Sequence, residues 1–379
     1  MKIAILGIRG LPSSYSGYET FIGELAPRLA QRGHEVTIYC RSALFQEQPP
    51  VHLGLNMRYL PSMEHKFLST LSHTTFAITD ASLRRFDLIF VVNAANGLFG
   101  FIPRLCGKKC VLNVDGMEWL RPKWNKLGKW FFKTSAQLGT KFYNEIVTDA
   151  EEMHRLYARE FGIDSAYIAY GANIETSKNP EVLKEYGVEP FGYYLIASRM
   201  IPDNNADLIV EAFVKSGSAK TLLIAGGADY KGNLIERAFL DKLKSLANDR
   251  VKFTGHISKP GHIKELHCNC FAYVHGHQFG GINPSILKAL GFGNLVLALN
   301  TPFNVEVLDN GKYGLLYEKN LESLVDKIRF AESHPDQVRQ FRALAPERIR
   351  ERFTWEQITD QYEELFGKIT RIKPGQPKA

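Results

Sequence analysis

The residues best suited to hold an anionic ligand lie together in one stretch, His275 to Leu308 (HGHQFGGINPSILKALGFGNLVLALNTPFNVEVL). It begins in an apolar, β-rich run (FAYVHGH), turns at Gly280 and Gly281, and passes through Asn283, Pro284 and Ser285 into a helical run, Ile286 to Leu290. A second apolar strand (LVLAL) follows. Strand, glycine turn and helix start in that order make a phosphate or diphosphate site. The glycines let backbone N–H groups approach a ligand, and the helix dipole favours negative charge at its N-terminus. Pro284 suits the first turn, where its missing N–H has no helical partner anyway. An ordinary βαβ crossover with a glycine turn fits the same pattern.

Other candidates stand at strand ends. Arg199 closes the run GYYLIASR, where a guanidinium can make bidentate contacts to a diphosphate and neutralise charge on a leaving group. Asn204 and Asn205 follow it and offer amide donors without charge. Gly226 and Gly227 close TLLIAGG, either as a backbone-permissive turn near a nucleotide or as a strand-ending turn with no ligand contact. Asp115 and Glu118 follow CVLNV. A carboxylate at such an edge can orient an acceptor hydroxyl, and a solvated turn is the plainer alternative. No DxD triplet occurs, and no histidine has the spacing partner a zinc site needs, so no metal and no cofactor are expected.

Positioning these groups requires alternating strands and helices. KIAILGI, HEVTIYC, DLIFVVNA and CVLNVDG read as strands of a first sheet, with the helix ETFIGELAPRLAQRG between them, and EIVTDAEEMHRLYAREFG adds another strand and helix. The pattern restarts near residue 190 with GYYLIASR, NNADLIVEAFVKSG, TLLIAGG, IERAFLDKLKSLAND and VKFTGHI. This is an α/β plan of two facing Rossmann-like doubly wound parallel-sheet domains, 1–180 and 190–345, joined by the polar, proline-bearing stretch 178–190. Its 379 residues suit two domains. Ligands should bind beyond the C-terminal ends of the strands, in a cleft between the domains.

Composition sets further bounds. With 45% hydrophobic and 23% charged residues the chain reads as a soluble globular protein, and no apolar run reaches the length needed to span a bilayer. The five cysteines form no zinc pattern and read as thiols of a cytoplasmic protein. The net charge of +7 is uneven. Between Trp119 and Lys141 stand Arg121, Lys123, Lys126, Lys129, Lys133 and Lys141 with no acidic residue, interleaved with Trp124, Trp130, Phe131 and Phe132. Such a stretch suits the inner face of a membrane, and a helix with core aromatics and solvated lysines fits it equally. No nucleic-acid motif occurs.

The run HGH-x-x-GG-x-NPS (275–285) with the later PFN-x-E (302–306) resembles the donor-binding region of retaining glycosyltransferases of family 4, which have the GT-B fold. It is most similar to their bacterial rhamnosyltransferase-type branch. The resemblance implies a sugar moved from a nucleoside diphosphate, rhamnose from dTDP-rhamnose, to a lipid-linked or polysaccharide acceptor in cell-surface glycan synthesis. It implies that VDG-x-EW (114–119) is acceptor-side and that the loop GIRGLPSSYSGYETF, with Gly17 and Glu19, faces donor phosphate and acceptor. His277 and Glu306 join the donor site, and the closing helix, 346–368, crosses back to the first domain. In this family the donor phosphate can itself take the acceptor proton, so no dedicated nucleophile is required. One departure is Lys288, where relatives carry a glutamate that binds the nucleotide ribose. Lysine cannot accept hydrogen bonds from hydroxyls, which leaves a non-catalytic, sugar-nucleotide-binding protein as the alternative.

Overall fold

The computed structural model describes residues 1–12, 17–64, 68–121, 124–226 and 234–372. By internal contact the chain forms two units, Met1–Tyr170 with Trp355–Ala379, and Gly171–Thr354.

The first unit runs β1 (Lys2–Leu6), α1 (Gly17–Gln31), β2 (Glu35–Arg41), β3 (Val51–His52), β4 (Leu55–Leu60), α2 (Leu68–Leu83) and β5 (Leu88–Val92). It continues with α3 (Phe101–Leu105), β6 (Cys110–Val114), α4 (Lys126–Phe142), β7 (Glu145–Thr148), α5 (Glu151–Phe161) and β8 (Ala166–Tyr167). The sheet order is β3-β4-β2-β1-β5-β6-β7-β8, parallel except for the β3–β4 pair. β5 is buried along its whole length, as a strand covered by helices on both faces must be. On α1, Phe21, Ile22, Leu25, Ala26 and Leu29 are buried at helical spacing.

The second unit runs β9 (Tyr193–Ala197), α6 (Ala206–Ser216), β10 (Thr221–Ala225), α7 (Leu234–Leu246), β11 (Val251–Gly255) and α8 (His262–Asn269). Then come β12 (Ala272–His275), α9 (Pro284–Gly291), β13 (Leu295–Leu299), α10 (Pro302–Val307), β14 (Leu315–Tyr317), α11 (Leu321–Ser333) and α12 (Pro335–Arg352). Its sheet is parallel in the order β11-β10-β9-β12-β13-β14, the Rossmann order. The last helix, α13 (Trp355–Thr370), belongs to the first unit. Its buried residues Trp355, Ile358, Tyr362 and Phe366 make one stripe, with the Tyr362 ring 5.6 Å from Phe21 and the Phe366 ring 5.4 Å from Phe90. Burying each such ring stabilises the unit by about 1.5–3 kcal/mol.

Two boundaries differ from the sequence reading. Residues 178–190, read as a linker, are built into the second unit. Glu265 on α8 accepts the N–H groups of Lys178 and Asn179 at 2.8 and 3.0 Å, and the Tyr186 hydroxyl meets His262 Nδ1 at 2.9 Å. Residues 346–354 also stay there, because Arg348 on α12 donates to the carbonyls of Val307 and Glu306 at 2.9 and 2.8 Å. The returning segment therefore begins at Trp355 rather than at residue 346.

Candidate functional site

In the second unit the strand order reverses between β9 and β12, so the loops leaving these two strands open the crevice in which doubly wound sheets bind ligands. The loop after β9 carries Arg199, whose side chain is exposed. Its carbonyl is pinned by the Asn204 side chain at 2.8 Å and the Ile201 N–H at 3.0 Å. Asn205 adopts a left-handed conformation (φ 50°), and its amide donates to the Gly276 carbonyl at 2.8 Å. The two asparagines are thus buried braces for the loops that present Arg199, their amides donating to backbone carbonyls.

Glycines let these loops touch. A Cβ on Gly276 would lie 2.3 Å from the Asn204 carbonyl oxygen, and one on Gly226 only 1.9 Å from that of Ser198. Gly226 therefore packs against the loop after β9. Gly227 lies outside the described residues.

At the end of β12, His275 is fully buried, and burial pushes its imidazole down to about 3, so it is neutral at physiological pH. Its ring stacks on His277 at 4.4 Å and 14°. The His277 carbonyl accepts from Asn304 at 3.4 Å, which ties this loop to α10. Gly280 has φ 120°, a conformation that favours glycine, and Gly281 completes the turn. Asn283 caps α9, its Oδ1 accepting the Ser285 N–H at 2.9 Å and the Ser285 hydroxyl at 2.8 Å. The order strand, glycine turn, helix N-terminus is the one expected of an anion site. Lys288 is exposed on α9, three residues past Ser285 and so on the same side of the helix. Glu306 is half-buried on α10, and its carbonyl holds Arg348.

The first unit has its own cluster at the C-terminal ends of β1 and β6. Gly17 is the exposed first residue of α1, and residues 13–16 lie outside the described set. Glu19 is buried and turns back to accept the Arg9 N–H at 2.8 Å. It braces the loop after β1. Asp115 follows β6 and is half-buried. Tyr18 donates its hydroxyl to Asp115 Oδ1 and accepts the Asp115 N–H at 3.1 Å. Burial pushes the Asp115 carboxyl up to about 7, opposed by the Tyr18 hydrogen bond and reinforced by Glu118. Glu118 has a different job. It accepts from Trp124 Nε1 at 2.7 Å and pairs with Arg121 at 2.8 Å, which fixes the turn leading into α4. Tyr18 carried no signal in the sequence, because nothing in a single chain pairs it with a residue 97 positions away.

Residues 16–173 match the family model described as a glycosyl transferase 4-like domain, and residues 175–348 match the one described as glycosyl transferases group 1. The chain belongs to the glycosyltransferases. Among curated proteins it is 25% identical over 187 residues to a probable sucrose-phosphate synthase of Thermosipho melanesiensis, a match spanning 48% of this chain and 42% of that relative. A solved sucrose-phosphate synthase of Thermosynechococcus elongatus superposes with a TM-score of 0.82 at 15% identity, covering 98% of this chain and 99% of that one. HepE of Anabaena, solved with UDP and glucose, gives 0.78 at 18% identity over 97% and 100%. These likenesses show the GT-B fold class of this glycosyltransferase. The two family models meet at residues 173–175, close to the 170/171 division of the units.

Proposed function

We propose that this glycosyltransferase moves a sugar from a nucleoside diphosphate to a lipid-linked or polysaccharide acceptor, with retention at the anomeric carbon. The observation that carries the reading is the joined pair of loops after β9 and β12, which brings Arg199 and the capped N-terminus of α9 to one sheet edge. Both suit a diphosphate: the helix start supplies N–H groups and Arg199 supplies the charge. UDP and glucose bound to HepE of Anabaena support a nucleotide-sugar donor. Rhamnose from dTDP-rhamnose is the donor that the resemblance of the 275–285 and 302–306 motifs to the rhamnosyltransferase-type branch implies. Nucleoside diphosphate release should be followed across a panel of nucleotide sugars with lipid-linked acceptors. Turnover confined to dTDP-rhamnose is the expected result, and turnover with UDP-glucose alone would replace that donor.

The lipid-linked acceptor is supported by α4. Leu127 and Trp130 on this helix are 71 and 63% exposed, far more than core residues, and share it with exposed Lys126, Lys133 and Lys141. An exposed indole among lysines suits an interface of anionic headgroups. Lys123 lies outside the described residues. Among the described residues no helix is long and apolar enough to cross a membrane, so contact through this face would be peripheral.

The second reading, a binding protein without turnover, is favoured by Lys288 alone. Binding of nucleoside diphosphate with no release from any sugar nucleotide would establish it.

A further inference from the structure

Three connections of the first sheet step the same way across it: β4 to β5 through α2, β5 to β6 through α3, and β6 to β7 through α4. Right-handed crossovers therefore lay α2, α3 and α4 on one face of the sheet. The three are fastened together. Thr74 on α2 donates to Asn96 Oδ1 at 2.8 Å, in the segment that leads into α3. The Ser135 hydroxyl on α4 meets the carbonyls of Ala94 and Ala95 in the same segment at 2.8 and 2.9 Å. Arg104 on α3 donates to the Lys141 carbonyl at 2.5 Å, and the Phe101 ring lies 6.2 Å from that of Phe142.

The outer side of this layer differs from the rest of the surface. Of the fifteen large apolar side chains exposed among the described residues, seven stand on these three helices, so apolar surface is gathered here. Leu83 on α2 and Leu105 on α3 are 77 and 82% exposed, and Phe76 and Phe101 are exposed on the same two helices. The charges among them have one sign. No Asp or Glu occurs from Leu88 to Val114 or from Trp119 to Asn144, while Arg104, Lys109, Lys126 and Lys141 are exposed. On α2 the one acid, Asp80, is already paired with Arg58 and Arg84.

A second copy of the chain docked face to face would set cations against cations. A bilayer with anionic headgroups offers the opposite charge, and an apolar boundary for leucine and aromatic side chains on helices lying in its plane. We propose that the α2–α3–α4 layer as a whole, rather than α4 alone, is the surface by which the first unit lies on an anionic bilayer. In it α3 is the apolar centre and the lysines of α4 are one charged flank. This deepens the lipid-linked acceptor reading and rests on it for its purpose, but the contact itself needs no sugar, donor or turnover.

Cys106 follows Leu105 and is exposed, whereas the other four cysteines are buried, so a polarity-sensitive fluorophore on this thiol reports from α3. With vesicles of phosphatidylcholine and phosphatidylglycerol its emission should shift to the blue. With phosphatidylcholine alone it should not move. Emission that ignores the anionic vesicles while the protein sediments with them would leave α4 as the contact and overturn the layer, and equal binding to both kinds of vesicle would overturn the role of charge. In unlabelled protein Leu105→Ser should weaken sedimentation by about tenfold, the loss of one buried leucine side chain, with the melting temperature unchanged. Leu83→Ser on α2 should act in the same direction. Wild-type sedimentation in both variants overturns the proposal, and a dimer that Leu105→Ser abolishes would give the face to a second copy. Sedimentation that fails while lipid-linked acceptors turn over in detergent sinks the docking and spares the acceptor reading. Docking that holds while only soluble acceptors turn over does the reverse.

Discussion

The Asn205 amide donates to the carbonyl of Gly276 at 2.8 Å, joining the loop after β9 to the loop after β12 at the point where the sheet order reverses. Gly276 in turn approaches Asn204 so closely that any side chain would collide with its carbonyl. Gly276→Ala should therefore part the two loops at a cost of about 1–3 kcal/mol. Chemical denaturation should register the loss, and calorimetry should show weaker binding of nucleoside diphosphate. Full affinity in the variant would separate the joint from the ligand.

Arg199 has an exposed side chain, so Arg199→Ala should leave the melting temperature nearly unchanged. Transfer should fall by more than about tenfold, corresponding to roughly 1.4 kcal/mol of barrier, because the leaving diphosphate loses its cation. A smaller fall would remove Arg199 from that role. EDTA should leave turnover intact, and a loss restored by Mg²⁺ would assign the diphosphate to a metal.

Lys288 shares a helix side with Ser285. A carboxylate there would accept ribose hydroxyls for about 1.5–3 kcal/mol, against about 1 kcal/mol from a solvent-screened lysine near phosphate. Lys288→Glu should thus tighten nucleoside diphosphate binding by a few-fold to about tenfold in calorimetry. Weaker binding would mean that the lysine serves the phosphates, and no change would place it away from the nucleotide.

Acid should act unequally on the two units. Burial pushes His267 and His275 in the second unit down to about 3, and His73 in the first to about 4. Each is neutral when folded but protonates when unfolded below about pH 6.5, so its contribution to stability is lost as pH falls from there. Asp115, up to about 7 in the first unit, has the opposite sign. It holds a proton when folded that the unfolded chain releases, which offsets His73. All four tryptophans, Trp119, Trp124, Trp130 and Trp355, lie in the first unit, so their fluorescence reports that unit alone. Between about pH 7 and pH 5, melting followed by circular dichroism should shift down more than melting followed by fluorescence. Equal shifts would contradict this assignment.

Membrane contact through α4 can be tested by charge. Lys126, Lys129 and Lys141 changed together to Glu should release the protein from anionic vesicles, each lysine contributing about 1 kcal/mol near such a surface. Lys133 is better left alone, because it pairs with Glu160 at 3.0 Å. Unchanged sedimentation would make α4 an ordinary solvated face.

Periodicity made the two parallel sheets legible, because buried strands such as Leu88–Val92 and Leu295–Leu299 are unbroken apolar runs. Between Arg41 and Phe86 it showed nothing. There α2 is rich in serine and threonine, which blur the helical stripe and compete for backbone hydrogen bonds, and β3 is two residues long. The glycine turn and cap at 280–285 were readable because both are local. The backbone partners of Asn204, Asn205 and Glu19 were not. Whether an amide or carboxylate turns outward or back to a carbonyl or N–H depends on a partner that sequence spacing does not supply. The partners of Asp115 and Glu118, Tyr18 for one and Trp124 and Arg121 for the other, were hidden for the same reason.

The return of α13 to the first unit has a consequence for the order of assembly. Glu363 meets His34 at 2.8 Å and Arg32 at 2.9 Å, and Phe366 covers Phe90. On the ribosome, Phe21 and Phe90 emerge long before the helix that shelters them. The second unit, contiguous in the chain, can close while the first still waits for its last strip of aromatic side chains. A nascent chain halted near residue 354 would then carry a finished second unit and an open aromatic face on the first, the kind of surface that chaperones hold.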